Sequence, residues 1–278
     1  FTISVAGQLN GTQVSRMVNL VVRTESFARY SYFTNSERLP DGTRIWFTTR
    51  DSLQGPVHSN DQFNISGNPV FNGPMSSSAA SINYKNPPPT GGNNPQFNGG
   101  LSLNASSVTL PLSVGALRSA AQSAGGSWFT GNTTITLQSN GTMLVTNPAL
   151  GWTNQRTSLP ANGAIFVNGG HATVSGTLDG QVTIGTSHNV IVANNIRYAD
   201  DPQANPQSND ALGLVAEGNV VIAQAAPYDV QIQASVMALD NPTTQALRDG
   251  SFTVENWWQG PPKGILSIYG GIIQVARG

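Results

Sequence analysis

The sequence predicts a mainly β, all-β-class chain whose short strands stack in parallel as a β-solenoid, or β-helix, with a few strands ahead of it and one short helix within it. Three observations point there. Charged residues are only 10% of the 278, while 30 Gly, 17 Pro and much Asn, Ser and Thr surround a normal 38% of hydrophobic residues. That composition excludes coiled coils and long-helix bundles, and the apolar content excludes a disordered tail. Second, strand-like runs of about 4–8 residues recur along most of the chain. Third, many of them are separated by a single Gly, Asn or Asp rather than by a two-residue hairpin turn. Such breaks suit strands that turn a shallow corner and stack on the coil before. A two-sheet sandwich would need more reversals.

Residues 1–50 read as strands leading into the solenoid, and residues 51–278 as the solenoid itself. Phe1 to Arg23 alternates around Asn10-Gly11, a pair that tolerates the turn of a hairpin. Ser26–Phe33 and Ile45–Thr49 follow as strands, with the Pro40-Asp41-Gly42 turn between them. In the solenoid, Ile165, Val167, Val174, Leu178, Val182, Ile184, Val190 and Val192 fit the inward side of alternating strands, and Asn and Thr suit ladders between coils. Ser113 can cap a helix over 113–124, where Leu117 and Ala121 follow Val114 and Gly125-Gly126 ends the run. Its narrow apolar stripe suits a lid over one open end of the solenoid, where bare strand edges invite aggregation. Residues 76–98, with three consecutive prolines, and 199–210 read as protruding loops.

The chain contains no cysteine and only two lysines, Lys85 and Lys263. This excludes disulfides, thiolate metal sites and cysteine nucleophiles, and the Asn/Ser/Thr/Gly richness points to an extracellular, cell-surface chain. No apolar run reaches the roughly 18 residues of a membrane span. The start at Phe1 suggests a processed form or fragment, with any targeting segment upstream. Residues 1–169 carry 9 basic and 5 acidic side chains and residues 170–278 carry 4 and 9, within a net charge of -1. A polyanion would therefore meet the amino-terminal part first.

Asp200 and Asp201, with Asp210 nearby, form the densest carboxylate cluster. Calcium binding or a glycosidase pair would use such groups, although adjacent Asp residues in a Pro/Asn loop also serve as turn formers. His58, His171 and His188 read as exposed turn residues rather than metal ligands. No nucleophile elbow, phosphate loop or dinucleotide fingerprint occurs, so neither an enzyme nor a cofactor is expected. Trp257 and Trp258 alternate across a strand, and an exposed indole could stack on a nucleobase or a sugar ring. Arg16, Arg23, Arg29, Arg38, Arg44 and Arg50 are interleaved with Phe27, Tyr30, Tyr32, Phe33 and Trp46. Arginine beside aromatics can grip a nucleic-acid backbone and stack bases. The best track is Arg29, Arg38, Arg44 and Arg50, extended by Lys85 in its Pro/Gly loop. Tyr30 and Tyr32 share one strand face and Arg29 and Phe33 the other, so one set alone should face solvent. Five Asn-x-Ser/Thr sequons, at Asn10, Asn64, Asn104, Asn132 and Asn140, are common by chance in such a composition.

The stretches Glu25–Glu37, Gly55-Pro-Val-His-Ser-Asn60, Asp210–Glu217 and Ile268-Tyr-Gly-Gly-Ile-Ile273 resemble segments of large type IV pilin-like surface proteins, among them competence-associated minor pilins. The resemblance covers about residues 25–278 and rests on structural motifs. It implies pilin-like strands joined to a long β-solenoid, a place at a pilus tip, other pilin subunits as partners, and capture of extracellular DNA during natural transformation. Contact with the membrane would run only through an amino-terminal helix missing from this sequence. In that group Phe1 begins an apolar helix with Glu at position five, whereas here Val5 follows Ile3 in a strand-like pattern. The alternative functions are a glycan-binding adhesin and a purely structural pilus or surface module.

Overall fold

A computed structural model of the chain describes residues 2–9, 12–19, 26–39, 41–111, 113–239, 250–256, 259 and 263–278. Thr2–Leu9 and Thr12–Asn19 pair antiparallel with Leu9 opposite Thr12. The Asn10-Gly11 pair between them lies outside the described residues. The remainder is a β-solenoid. Its spine is one parallel sheet of ten strands, which in spatial order are Ser127–Thr130, Ala164–Asn168, Gln181–Thr186, Ala211–Ala216, Val230–Ala238, Leu266–Ala276, Tyr32–Ser36, Val57–Ser59, Met75–Ser77 and Leu101–Ser102.

That order is not the chain order. The first coils climb from Tyr32–Ser36 to Leu101–Ser102 at one end of the stack. The chain then returns along the outside, and the later coils advance from Ser127–Thr130 until Leu266–Ala276 lies beside Tyr32–Ser36, with Ile272 opposite Tyr32 and Ile273 opposite Phe33. The returning segment is pinned where Asn60 both donates to the Val108 carbonyl at 2.8 Å and accepts from its N–H at 2.9 Å. Val108 and Leu110 then cover Tyr30, Phe33 and Ile273. Each half has two further faces. Phe47–Thr48, Asn64–Ser66 and Asn83–Tyr84 stack in the first half, as do Ser52–Leu53, Val70–Phe71 and Gln96–Phe97. Thr133–Gln138, Ala172–Leu178, Val190–Tyr198, Val220–Ile222 and Phe252–Val254 stack in the second.

The alternation sets the core. Ile165, Val167, Val174, Leu178, Val182, Ile184, Val190 and Val192 are all buried in one continuous apolar cluster. A second cluster fills the first half around Phe47, Phe63, Ile65 and Phe71. Coil corners are laced by side chains that accept the backbone N–H of the next coil. Asn132 Oδ1 takes His171 N, His171 Nδ1 takes Asn189 N, Asn189 Oδ1 takes Asn219 N and Asn219 Oδ1 takes Ser251 N, at 2.9 to 3.2 Å. His171 thus occupies an asparagine rung. At a corner of the first half, coils touch backbone to backbone. A Cβ on Gly73 would lie 2.2 Å from the Gly55 carbonyl oxygen, and one on Gly99 2.2 Å from the Gly73 carbonyl carbon. No side chain fits there.

Three expectations need correction. The helix α1, Gly115–Gln122, begins at Val114 without a side-chain cap, so Ser113 does not serve as one. It lies on the outer face of the spine rather than over an open end, packed with Ala164, Phe166 and Leu239. Arg118 fastens it there, donating to Asn168 Oδ1 at 2.8 Å and to the buried Glu217 carboxylate at 2.7 Å. Thr142–Asn147 and Trp152–Ser158, antiparallel to their neighbours, extend the stack next to Thr133–Gln138, and Trp152 meets Phe129 edge-on at 6.2 Å. An amphipathic stripe reports that one face is covered, not what covers it. Second, Ser26–Phe33 is not one strand: Phe27–Arg29 is a 3₁₀ turn capped by Ser26, and the strand starts at Tyr32. Third, Tyr30, Tyr32 and Phe33 are all buried, because the return segment covers the outer side while the solenoid core takes the inner.

Candidate functional site

The two halves of the solenoid meet through the spine alone. Among the described residues, Phe252–Val254 and residues 266–268 of the last strand make no ladder to Phe47–Thr48 or Ser52–Leu53. Where those faces break, a cleft of about 750 Å³ opens between the halves. Tyr32, Phe47 and Leu53 wall it on one side and Phe252, Leu266, Ile268 and Ile272 on the other, while Arg29, Arg50, Asp51, Gln54, Gln203 and Tyr269 also line it.

Its inner wall carries a buried polar network that joins the halves. Arg277 Nη1 donates to Glu37 Oε2 at 3.1 Å, and Glu37 is fully buried. Tyr32 Oη donates to the same carboxylate at 3.3 Å and accepts from Gln274 Nε2 at 3.3 Å. Gln274 Oε1 accepts the Phe252 N–H at 2.9 Å. The Arg277 guanidinium lies 3.8 Å from the centre of the Phe47 ring, close enough for a cation–π contact. Burial pushes the Glu37 carboxyl up to about 7, because the loss of water outweighs the attraction of Arg277. Burial, reinforced by the Glu37 charge, raises the Tyr32 phenol. Burial disfavours the Arg277 cation, but Tyr32 and Glu37 more than compensate and hold it above its ordinary value. The network is a latch between the two ends of the described chain, and sequence reading missed it. Its members are separated by 240 residues, and only the polar spacing of Gln274 and Arg277 in an apolar closing strand hints at it.

The predicted arginine track divides. Arg29 and Arg50 share the cleft and are exposed. Arg29 also lies 4.9 Å from the centre of the Tyr30 ring. Asp51, between them in the lining, already accepts Thr48 N at 2.6 Å, so its charge tempers the two cations while its geometry serves the turn. Arg38 and Arg44 face each other across a small turn, and Arg38 reaches Asp61 at 4.0 Å. Lys85 sits 5.9 Å above the Trp46 ring. Trp257, Trp258 and Arg23 lie outside the described residues.

The acidic cluster does not converge on an ion. Asp210 accepts Gly180 N at 2.6 Å and Asp200 N at 2.9 Å, Asp200 takes Asn205 Nδ2 at 2.7 Å, and Asp201 takes Gln203 N at 2.9 Å and Gln233 Nε2 at 2.8 Å. The carboxylates hold the 199–210 connection in place. Among the described residues no three His, Asp or Glu side chains group to hold a metal. His58 is buried, which corrects the expectation of an exposed turn. It lies in Val57–Ser59, contacts Ser76 Oγ at 2.8 Å and Asn60 Oδ1 at 3.0 Å, and stacks on Phe33 at 5.4 Å. Burial holds its imidazole below the ordinary range. The sequon Asn64 is buried too, donating to the Glu37 carbonyl and accepting from Asn83.

Comparison with known families gives one match: residues 3–80 fit a domain of unknown function, DUF4900. That region holds the hairpin and the first coils. No curated protein and no solved structure matches the chain. No helix among the described residues is long and apolar enough to cross a membrane.

Proposed function

We propose that this chain is a non-enzymatic, extracellular β-solenoid subunit of a type IV pilus-like assembly, which contacts DNA through its first coils. The observation that carries the DNA contact is the convergence of exposed Arg29 and Arg50 on one cleft, with Arg38, Arg44 and Lys85 on the same half of the molecule. The resemblance of Glu25–Glu37 and of the closing strand to large pilin-like proteins supports the setting. A net charge of -1 makes the contact weak and steeply dependent on salt. Buried Tyr30 and Tyr32 cannot stack on bases, so backbone phosphates are the ligand and sequence preference is absent.

The test is a low-salt binding titration with duplex and single-stranded DNA, with and without partner pilins. Replacing Arg29, Arg38, Arg44 and Arg50 together by Gln should weaken binding at least tenfold. Absence of binding under every condition removes the DNA role and leaves a scaffold; unchanged binding in the fourfold variant moves the contact elsewhere.

A further inference from the structure

A second cavity, of about 950 Å³, lies over the outer face of the spine. Residues 26–28 border it on one side and residues 161–163 on the other. Its floor is the flat middle of the spine, where Thr183, Gly213 and Ser235 stand in register on successive strands. We propose that this groove binds an extended, uncharged glycan. The proposal is independent of the DNA reading, since the groove shares neither Arg29 nor Arg50.

The chemistry of the lining selects the ligand. No Asp, Glu, Lys, Arg or His lines the groove. A nucleic acid would find no cation for its phosphates. An extended peptide adds to a sheet through an open edge, but this floor is a sheet face whose backbone groups are already paired with neighbouring strands. Sugars need the opposite provision: flat aromatic surfaces beside fixed hydroxyl and amide groups. Tyr198 and Tyr269 supply the rings. Tyr198 is held in place because its hydroxyl accepts the Leu212 N–H at 3.1 Å, which gives a rigid amphipathic platform.

Thr183 and Ser235 supply hydroxyls. Both are half-buried, line the groove and make no side-chain hydrogen bond to a described residue. Two strand spacings, roughly 9–10 Å, separate them, with Gly213 between. A Cβ there would come within 3.0 Å of the Thr183 methyl, so glycine keeps the floor level. Gln181 donates its amide to the Asn209 carbonyl at 2.9 Å, leaving its oxygen as an acceptor at the groove wall. An elongated sugar chain laid across the strands would meet these groups in succession.

The experiment titrates the described chain with neutral hexasaccharides of β-1,4-linked glucose, N-acetylglucosamine and mannose by calorimetry. At least one should bind in the micromolar range, and Thr183→Val with Ser235→Ala, both near-isosteric, should weaken it at least tenfold. Arg29→Gln with Arg50→Gln should leave it unchanged. Hydrogen exchange on the unaltered protein provides a mutation-free readout: the bound sugar should slow exchange in residues 211–216 and 266–271. The proposal fails if none of the three sugars binds at millimolar concentration. It fails equally if the Thr183/Ser235 variant binds sugar normally while remaining folded, or if bound sugar protects other segments. Binding of single-stranded DNA, or self-association, that this variant abolishes would assign the groove to another occupant and overturn it.

Discussion

Arg277 donates to the fully buried carboxylate of Glu37 at 3.1 Å across 240 residues of sequence, and this contact fastens the last coil to the first. Removing one partner of such a pair leaves the other charge buried and unmatched. Arg277→Gln should therefore cost about 3–5 kcal/mol, read as a lowered midpoint in thermal or urea unfolding. Arg277→Gln combined with Glu37→Gln should recover much of that loss. Equal losses in the single and double variants would mean that the pair is not coupled.

Glu37 also sets a pH dependence of definite sign. Its carboxyl is raised from an ordinary 4.5 to about 7, so between those values the folded chain keeps a proton that the unfolded chain has released. Stability should fall as pH rises through that window and level off above about 7. Chemical denaturation from pH 4.5 to 8 of the parent and of Glu37→Gln isolates the effect, and the variant should lack that component.

His171 acts in the opposite direction. Burial, helped by the neighbouring His188, holds its imidazole below the ordinary range, and its Nδ1 must stay unprotonated to accept Asn189 N–H. Stability from this group is present above about 6.5, the unfolded imidazole value, and declines as pH falls through and below it. His171→Asn restores the residue used elsewhere in the ladder and should abolish this component with little change at pH 8. His171→Ala, which orphans a backbone donor, should cost about 1–3 kcal/mol.

The glycine corner gives the simplest packing prediction. Gly73→Ala puts a methyl group into the Gly55 carbonyl, where backbone rather than a side chain would have to move. A loss of about 1–3 kcal/mol or more is expected, while Gly91→Ala, with nothing within 4 Å, should lose only what its positive φ of 93° demands. Unfolding curves for the two variants decide the matter.

For DNA, salt dependence is more telling than affinity. If Arg29 and Arg50 each neutralise one duplex phosphate, replacing both by Gln should reduce the slope of log K against log salt by about 1.8. An unaltered slope with altered affinity would mean that the arginines act through folding instead.

Much of the solenoid was legible because its signals are local. Val174, Val182 and Ile184 alternate within single strands, and Gly73 and Gly99 mark corners whose geometry admits no side chain. The placement of α1 was not legible, since its stripe fits any apolar surface and the partner Phe166 lies beyond a separate strand system. Nor was the burial of Tyr30 and Phe33, which depends on Val108 and Leu110 crossing over them. The arginine pair in the cleft was visible as residues but not as a place, because the cleft exists only where Leu266–Ala276 meets the first coil.

That meeting has a kinetic consequence. Tyr32–Ser36 takes one neighbour, Val57–Ser59, from the next coil and the other, Leu266–Ala276, from the far end of the sequence. Contacts of such separation are slow to form because a long loop must close first. The two stacks can each wind up on their own side, but the spine has a bare internal edge until the final strand arrives. During synthesis or export this edge is the stretch of the molecule most exposed to mispairing, and the step that seals it comes last.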